Sequence, residues 1–509
     1  MSITKQEEAH IAVARNDSDY IHVQSSHRQG FDNRSSVERT SRYASGVSSI
    51  NIEGIPEQGS SGKKFMTLSN PPRNKWRLIA CITLWVCVGF HDATPGALLP
   101  YIEDYYDISY SIASLIWVGA ALGFIFIACI SHKIQPWFGK RKSVTIGCAL
   151  CIVMYAIVAS GTKYPVIVVA FFFGGAGAAL EIAQCNIFIS RLDKVSTYLS
   201  YLHGAYGIGA TVSPLIATSL ASRGVKWHYF YLVLIGLMLP TMFLINYAFK
   251  DADEDMKPWD DDETDLQKIS DSSNLGNNTE EIELTDFNKA EEYPQQQQNM
   301  MLIALSNPTT WLVAFFVFFY QGAEVSMGGW IVSFFLDYRH GNPKYVGYSA
   351  SGYWGGLTLG RLLLTRPLHK TLGARRAVTV VSIGSMAVVG LVWGIPNVIA
   401  EAVLIAFAGV LIGPNYPLNI AYMAHDGLVP RKIQVISLTI MSAFGSSGGA
   451  IFPFIVGLVS QTTGTYIVLP IFIALYGLMV IIWVFIPNVE RRNVVPSKNR
   501  WKRLWQRVW

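Results

Sequence analysis

The sequence predicts an all-α membrane protein of twelve transmembrane helices, arranged as two six-helix halves. Three observations carry that prediction. The first is composition: of 509 residues, 51% are hydrophobic and 15% charged, and the mean hydropathy is +0.31, too apolar for a soluble chain of this length. The second is a series of apolar segments, each able to supply the roughly 20 residues that cross a hydrocarbon core of about 30 Å. They lie at 77–98, 112–131, 143–160, 165–189, 199–220 and 229–249, and then, after a gap, at 310–336, 345–365, 377–395, 398–423, 433–458 and 466–487. The third is that motifs of the first set return in the second.

Residues 1–73 are rich in Ser, Gly and charge without sustained periodicity, which predicts a disordered cytosolic tail. The first thirty residues hold no apolar core of signal-peptide type, so the first span serves as its own insertion signal. The N-terminal six-helix half, 74–249, opens with a helix ending in FHDATPGALLPYIEDYY (90–106). A carboxylate at bilayer depth costs roughly 2.5–3.5 kcal/mol on insertion scales, so it turns from lipid toward a polar pathway. Asp92 is therefore the leading candidate for proton coupling, with a structural carboxylate as the plainer alternative. His91 lies about 100° around the helix from it, and pathway and packing are equal alternatives there.

The fourth span, in GAALEIAQCN (177–186), adds a second acid, Glu181, and two amides, Gln184 and Asn186, that suit the hydroxyls of a solute. The fifth carries His203, Tyr206 and Pro214. Residues 250–309 form a polar linker, opening with the acidic run DADEDMKPWDDDE. The C-terminal half, 310–487, begins with YQGAEVSMGGWIVSFFLDYR (320–339), where Glu324 precedes Gly328 by four as Asp92 precedes Gly96. Gln321 and Trp330 are binding candidates beside it. Arg361, the basic residue within the eighth span, is the expected ion-pair partner of Glu324. Glu401 lies near a helix end, where snorkelling is expected. Aromatic side chains such as Tyr206 and Trp330 complement the apolar face of a pyranose, with helix packing as the alternative. In the terminal tail, 488–509, Trp501, Trp505 and Trp509 recur every four residues among Lys502, Arg503 and Arg507, as in a membrane-surface anchor.

Charge distribution sets the orientation. The short loops after spans 2, 4, 8 and 10 carry twelve Lys or Arg (133, 140, 141, 142, 191, 194, 366, 370, 375, 376, 431, 432), and the opposite loops five (163, 223, 226, 339, 344). The basic side is cytosolic, which puts both termini and the linker there. All six cysteines fall inside predicted spans, so no disulfide framework is expected. There is no phosphate-binding Gly-rich loop with Lys-Ser/Thr, no nucleophile–base constellation and no metal-ligand cluster, so neither an enzyme nor a cofactor is expected. A net charge of +5 gives no sign of nucleic acid as a partner.

The internal repeats go further than the paired acids. AYGIGATVSPLIATSL (205–220) is echoed by AFGSSGGAIFPFIVGL (443–458), with Pro214 and Pro453 in comparable places. The basic turn FGKRK (138–142) is echoed by LGARR (372–376), which marks Gly139, Arg141, Gly373 and Arg375 as structural or gating residues. Two halves of like orientation resemble the major facilitator superfamily over nearly all of 77–487. Within it, HDATPGALLPYI resembles the first helix of the fucose:proton symporter-like group, including its fungal members, GAALEIAQCN its fourth helix, and YQGAEVSMGGW the seventh helix of its eukaryotic members. The chain departs from that group in having His91 in place of Asn, and Glu181 five rather than four residues before Asn186. The turn SHKIQPWFGKRK also lacks the superfamily's usual acid.

The expected function is secondary-active transport of a small polar solute by alternating access, with proton coupling through Asp92 and either Glu324 or Glu181. The resemblance implies a monosaccharide as solute; the partners are then that solute, the proton and the bilayer. A nutrient sensor with a transporter fold and a proton-antiport exporter of drugs or metabolites remain the alternatives. The topology is directly testable: cysteines placed at Ser272 and near the carboxyl terminus label from the cytosolic side alone, and one at Asn342 from the outside alone. External labelling at Ser272 overturns the arrangement.

Overall fold

A computed structural model describes residues 65–257, 300–423 and 428–489 of the chain; most of the predicted terminal tails and of the linker, and the tryptophan repeat, lie outside them, while Met66 of the predicted N-terminal tail is fully buried and bridges to Leu192. Among the described residues the secondary structure is helical, with no named strand. The first half comprises α1 (Asn74–Tyr106), α2 (Tyr110–Ile130), α3 (140–159, after a break at Gly139), α4 (Tyr164–Ser190), α5 (Val195–Ala221) and α6 (Trp227–Ala248). The second begins with α7 (Pro308–Tyr338) and a 52-residue run, Pro343–Gly394. Gly373 breaks that run with φ 77° and ψ 163° into α8 (343–372) and α9 (374–394). α10 (Val398–Met423), α11 (Arg431–Thr463) and α12 (Thr465–Phe485) complete the chain of helices.

Ten of the described helices are long and apolar enough to cross a membrane, against the twelve expected. The difference has two physical causes. α8 and α9 count as one because helical backbone lies directly on both sides of Gly373, within the basic turn, where glycine takes a positive φ without the steric penalty of a side chain. And α5, VSTYLSYLHGAYGIGATVSPLIATSLA, is 27 residues long but diluted with Ser, Thr, Gly and His. It tolerates that composition because it packs on α1 and on α8 of the other half.

The α1–α5 contact is backbone against backbone. A Cβ on Gly89 would stand 2.0 Å from the carbonyl oxygen of Tyr206, and one on Gly209 would stand 2.1 Å from that of Val86. Small residues of this kind substitute for the hydrophobic drive that is missing between helices in lipid. Pro214 in α5 and Pro453 in α11 lie inside the two helices that repeat one another in sequence.

The halves meet along α1 with α7, α5 with α8, and α2 with α11. One end of these contacts is sealed. There Tyr101 donates to the carbonyl oxygen of Pro343 at 3.4 Å, and Tyr110 to Asp337 Oδ2 at 2.9 Å. Trp330 is wedged between Tyr110 and Trp117, ring centroids 5.8 and 5.9 Å away, and its Nε1 donates to the carbonyl oxygen of Pro453 at 2.9 Å.

Gly89→Val drives a branched side chain into the α5 backbone. Overpacking of this type costs about 1–3 kcal/mol or more, so thermal melting of the solubilised protein shows a lowered midpoint and reduced folded yield. Gly390→Ala, where nothing lies within 4 Å of the added Cβ, leaves the midpoint unchanged or raises it.

Candidate functional site

Midway along the bundle, α1, α5, α7, α8 and α10 bring together two acids, one arginine and a chain of rings. Asp92 is on α1, followed by the buried run 93–99, yet its own side chain is exposed. Tyr206 of α5 donates its hydroxyl to Asp92 Oδ2 at 3.1 Å. The Tyr206 ring in turn meets Trp85 of α1 and Trp354 of α8, both at 6.4 Å and edge-on. Asp92 therefore sits where the halves face one another, and its exposure is to a space between helices. Among the described residues it makes no ion pair.

Glu324 on α7 has a different setting. It is buried, and both of its carboxylate oxygens accept from Arg361 Nη2, at 2.9 and 3.1 Å. Arg361 is carried by a π-helical turn, Gly360–Leu364, inside α8. Such turns interrupt the regular 3.6-residue register and recur at functional positions. Its Nη2 also reaches the hydroxyl of Tyr320 at 3.5 Å, while Tyr353 donates to the backbone carbonyl of Glu324 at 3.0 Å. The expected Glu324–Arg361 pair is thus present, with side-chain exposures of 6% and 12%. The two charges offset each other, which leaves Asp92 as the unpaired one.

A second path of rings joins the halves. Tyr320 stacks on Tyr416 of α10 at 6.2 Å and 27°, Tyr416 meets His203 of α5 edge-on at 6.0 Å, and His203 meets Trp85 at 4.9 Å. Trp85, Tyr320 and Tyr416 were not singled out by the sequence. In a chain with 13% aromatic residues, nothing in their local pattern separates them from packing residues.

Other candidates lie elsewhere. His91 Nδ1 pairs with the Tyr155 hydroxyl at 3.1 Å, inside the core formed by α1, α3 and α4. Glu181 is 1% exposed and faces α3, with Gly147, Cys148 and Cys151 against it; its Oε1 has no hydrogen-bond partner. The five-residue spacing to Asn186 and the close α3–α4 approach at Gly177 turn it away from the ring cluster. On α4, Gln184 is buried and Asn186 exposed. Gln321 is half-buried and lies against Gly445 of α11. Trp330 belongs to the seal. Glu401, expected to snorkel, is instead fully buried and paired with Arg339 at 2.6 Å, because Arg339 follows a second π turn, Phe334–Tyr338, that ends α7 beside it.

The basic turns hold their own halves together. Gly139 takes φ 72° between α2 and α3, and Arg141 Nε donates to Asn246 Oδ1 on α6 at 3.2 Å. In the repeat, Arg375 is 1% exposed and donates to the carbonyl oxygens of Trp483, Val484 and Ile486 at the end of α12.

The sequence model of the Major Facilitator Superfamily matches residues 81–426. The chain belongs to the major facilitator superfamily. This major facilitator protein is similar to Bypass of stop codon protein 6 of Saccharomyces cerevisiae, with 27% identity over 427 residues, covering 81% of this chain and 83% of the relative. It is also similar to a Glucose/galactose transporter of Brucella abortus biovar 1, with 21% identity over 433 residues, covering 79% of this chain and 93% of the relative. A D-xylose-proton symporter crystal structure shares the fold with a TM-score of 0.62 at 12% identity, covering 81% of this chain and 98% of that one. The protein is therefore a multi-pass membrane transporter and not an enzyme.

Breaking the buried pair from one side strands a charge. Removing one partner of such a pair typically costs about 3–5 kcal/mol, so Arg361→Ala lowers the thermal midpoint sharply. The double variant Glu324→Gln/Arg361→Gln recovers much of the loss, because neither charge is then left alone; a double variant no better than Arg361→Ala contradicts the pairing.

Proposed function

We propose that this transporter carries a monosaccharide by alternating access, with a proton carried on Asp92. The observation that carries the reading is the difference between the three membrane acids. Glu324 is neutralised by Arg361 and Glu181 is enclosed between α3 and α4, whereas Asp92 faces the space between the halves with one neutral hydroxyl as its partner. An acid in that setting exchanges protons with solvent while the path is open, and its charge opposes closure of the halves around it until a proton is bound.

The sugar assignment rests on two supports. The half-buried rings of Tyr206 and Tyr416, backed by the buried Trp85, Trp354 and Tyr320, lie beside hydrogen-bonding groups on Asp92 and His203, which suits a solute with apolar faces and hydroxyl edges. The relatives that carry a substrate in their names are a glucose/galactose transporter and a D-xylose-proton symporter.

Alternating access has a material basis in the seal. Tyr101, Tyr110 and Trp330 close one end, and Asp92 is solvent-exposed below it, so the path opens toward the other end. With both termini in the cytosol, that open end is cytosolic. Exchange of the seal from one end to the other requires rocking of helices that cross the interface, and α5 and α11 each carry an internal proline, which removes one hydrogen bond along the helix and loosens it there.

Reconstituted vesicles loaded with labelled D-glucose, D-galactose, D-xylose or L-fucose test the reading. The wild type concentrates at least one of them when a pH gradient is imposed. Asp92→Asn, which keeps size and hydrogen bonding but removes titration, equalises the solute across the membrane and no longer concentrates it, while downhill exchange persists. Undiminished accumulation by Asp92→Asn removes Asp92 from the coupling step; binding without flux in the wild type favours a sensor.

A further inference from the structure

The acidic run after α6 has the composition of a solvated linker, yet its first turn is built into the N-terminal half. Ala252–Asp255 forms a short helix followed by Met256, with Ala252 and Met256 1% exposed, and the alternate acids Asp251, Asp253 and Asp255 each grip a different basic residue. Asp251 Oδ2 accepts from Arg73 Nη1 at 2.8 Å. Asp255 accepts from Arg77, which is fully buried and also donates to the carbonyl oxygen of Ala248 and to Asn74 Oδ1. Asp253 Oδ1 accepts from the backbone N–H of Lys140 at 2.8 Å, with the Lys140 ammonium 3.8 Å away.

The Asp253 contact has a specific geometry. Gly139 leaves the helical region, so Lys140 opens the regular part of α3, and the amides of a first helical turn have no intrahelical acceptor. The turn itself, Trp137-Phe138-Gly139, offers no side-chain oxygen. Asp253 fills that place from 113 residues away, and it does so closely enough that a Cβ on Gly139 would stand 2.6 Å from its Oδ2. A carboxylate there also meets the positive end of the helix dipole.

We propose that Asp253 is a positioning residue: it caps α3 across the fold and fixes the α2–α3 turn, while Asp251 and Asp255 anchor it to the start of α1. These bonds, with Arg141 on Asn246, fasten the entry of α1, the α2–α3 turn and the exit of α6 into one body, so that the cytosolic end of this half moves as a piece. The inference does not depend on which solute is carried.

The cap and the ion pair separate by mutation, because the donor is the backbone of Lys140. Hydrogen exchange of the amides at 140–143 is followed in the full-length protein in lipid nanodiscs, together with the distance distribution between spin labels at positions 142 and 371. In Asp253→Ala the amides exchange about five- to tenfold faster, the ratio that loss of a helix cap typically carries, and the distance distribution broadens. Asp253→Asn, which retains the acceptor, stays close to wild type in both, and so does Lys140→Ala, which retains the donor. Wild-type exchange in Asp253→Ala overturns the proposal. So does Lys140→Ala or Asp253→Asn exchanging as fast as Asp253→Ala, since the contact would then depend on charge and not on the cap. If Asp253→Ala fails to fold, fast exchange in either of the other two variants overturns the proposal, and wild-type exchange in both, beside that loss of folding, supports it.

Discussion

A guanidinium inside a bilayer must find its counter-charge within the protein, and the centre of this molecule is built on that requirement. Arg361 is held against both oxygens of Glu324, so two helices of the C-terminal half, α7 and α8, are tied at mid-depth. The pair fixes where the remaining polar groups can lie. Tyr353 holds the Glu324 backbone, Tyr320 stands within reach of the arginine, and the rings that continue from Tyr320 through Tyr416 and His203 end at Trp85 on α1. Asp92, from the opposite half, meets this assembly without a cation of its own. The asymmetry is electrostatic: one half supplies a neutralised pair and the other a single acid.

The packing that brings these groups together is of two kinds. Where α1 meets α5, glycines allow backbones to touch, and the contact belongs to one half. Where the halves meet at the sealed end, bulky rings and hydroxyls do the closing, with Trp330 between Tyr110 and Trp117. Backbone contact has few alternative arrangements, whereas a seal of side chains can separate and re-form. Small residues also meet across the halves, where a Cβ on Gly96 of α1 would stand 2.4 Å from the carbonyl oxygen of Gly328 on α7, so the interface joins one close backbone contact to the seal of rings.

Much of this was legible in the sequence because charge is conspicuous against an apolar background. Asp92, Glu324 and Arg361 stand out for that reason, and the pairing of the last two needed no more than their being the acid and base of adjacent spans. Hydropathy marked most of the crossings, and the basic turn LGARR marked where α8 gives way to α9, at Gly373. The ring path was hidden for the opposite reason: aromatic residues are common throughout. Trp330 has the composition of a sugar platform and the position of a plug. Glu181 has the composition of a coupling acid, and a single residue of register points it at α3. The acids at 251, 253 and 255 read as solvent-facing because their partners, Arg73, Arg77 and Lys140, are more than a hundred residues away.

Among its described residues the C-terminal half contains two π turns, Phe334–Tyr338 and Gly360–Leu364, the first adjoining and the second carrying an arginine joined to an acid of another helix: Arg339 to Glu401 and Arg361 to Glu324. A π turn accommodates one residue more than an α turn, which is about 100° of helical phase. The stretch of α8 that presents Tyr353 and Trp354 and the stretch beyond Leu364 are thus out of phase with one another. One helix thereby serves two faces whose spacing no single straight helix would satisfy, and the arginine sits at the dislocation between them.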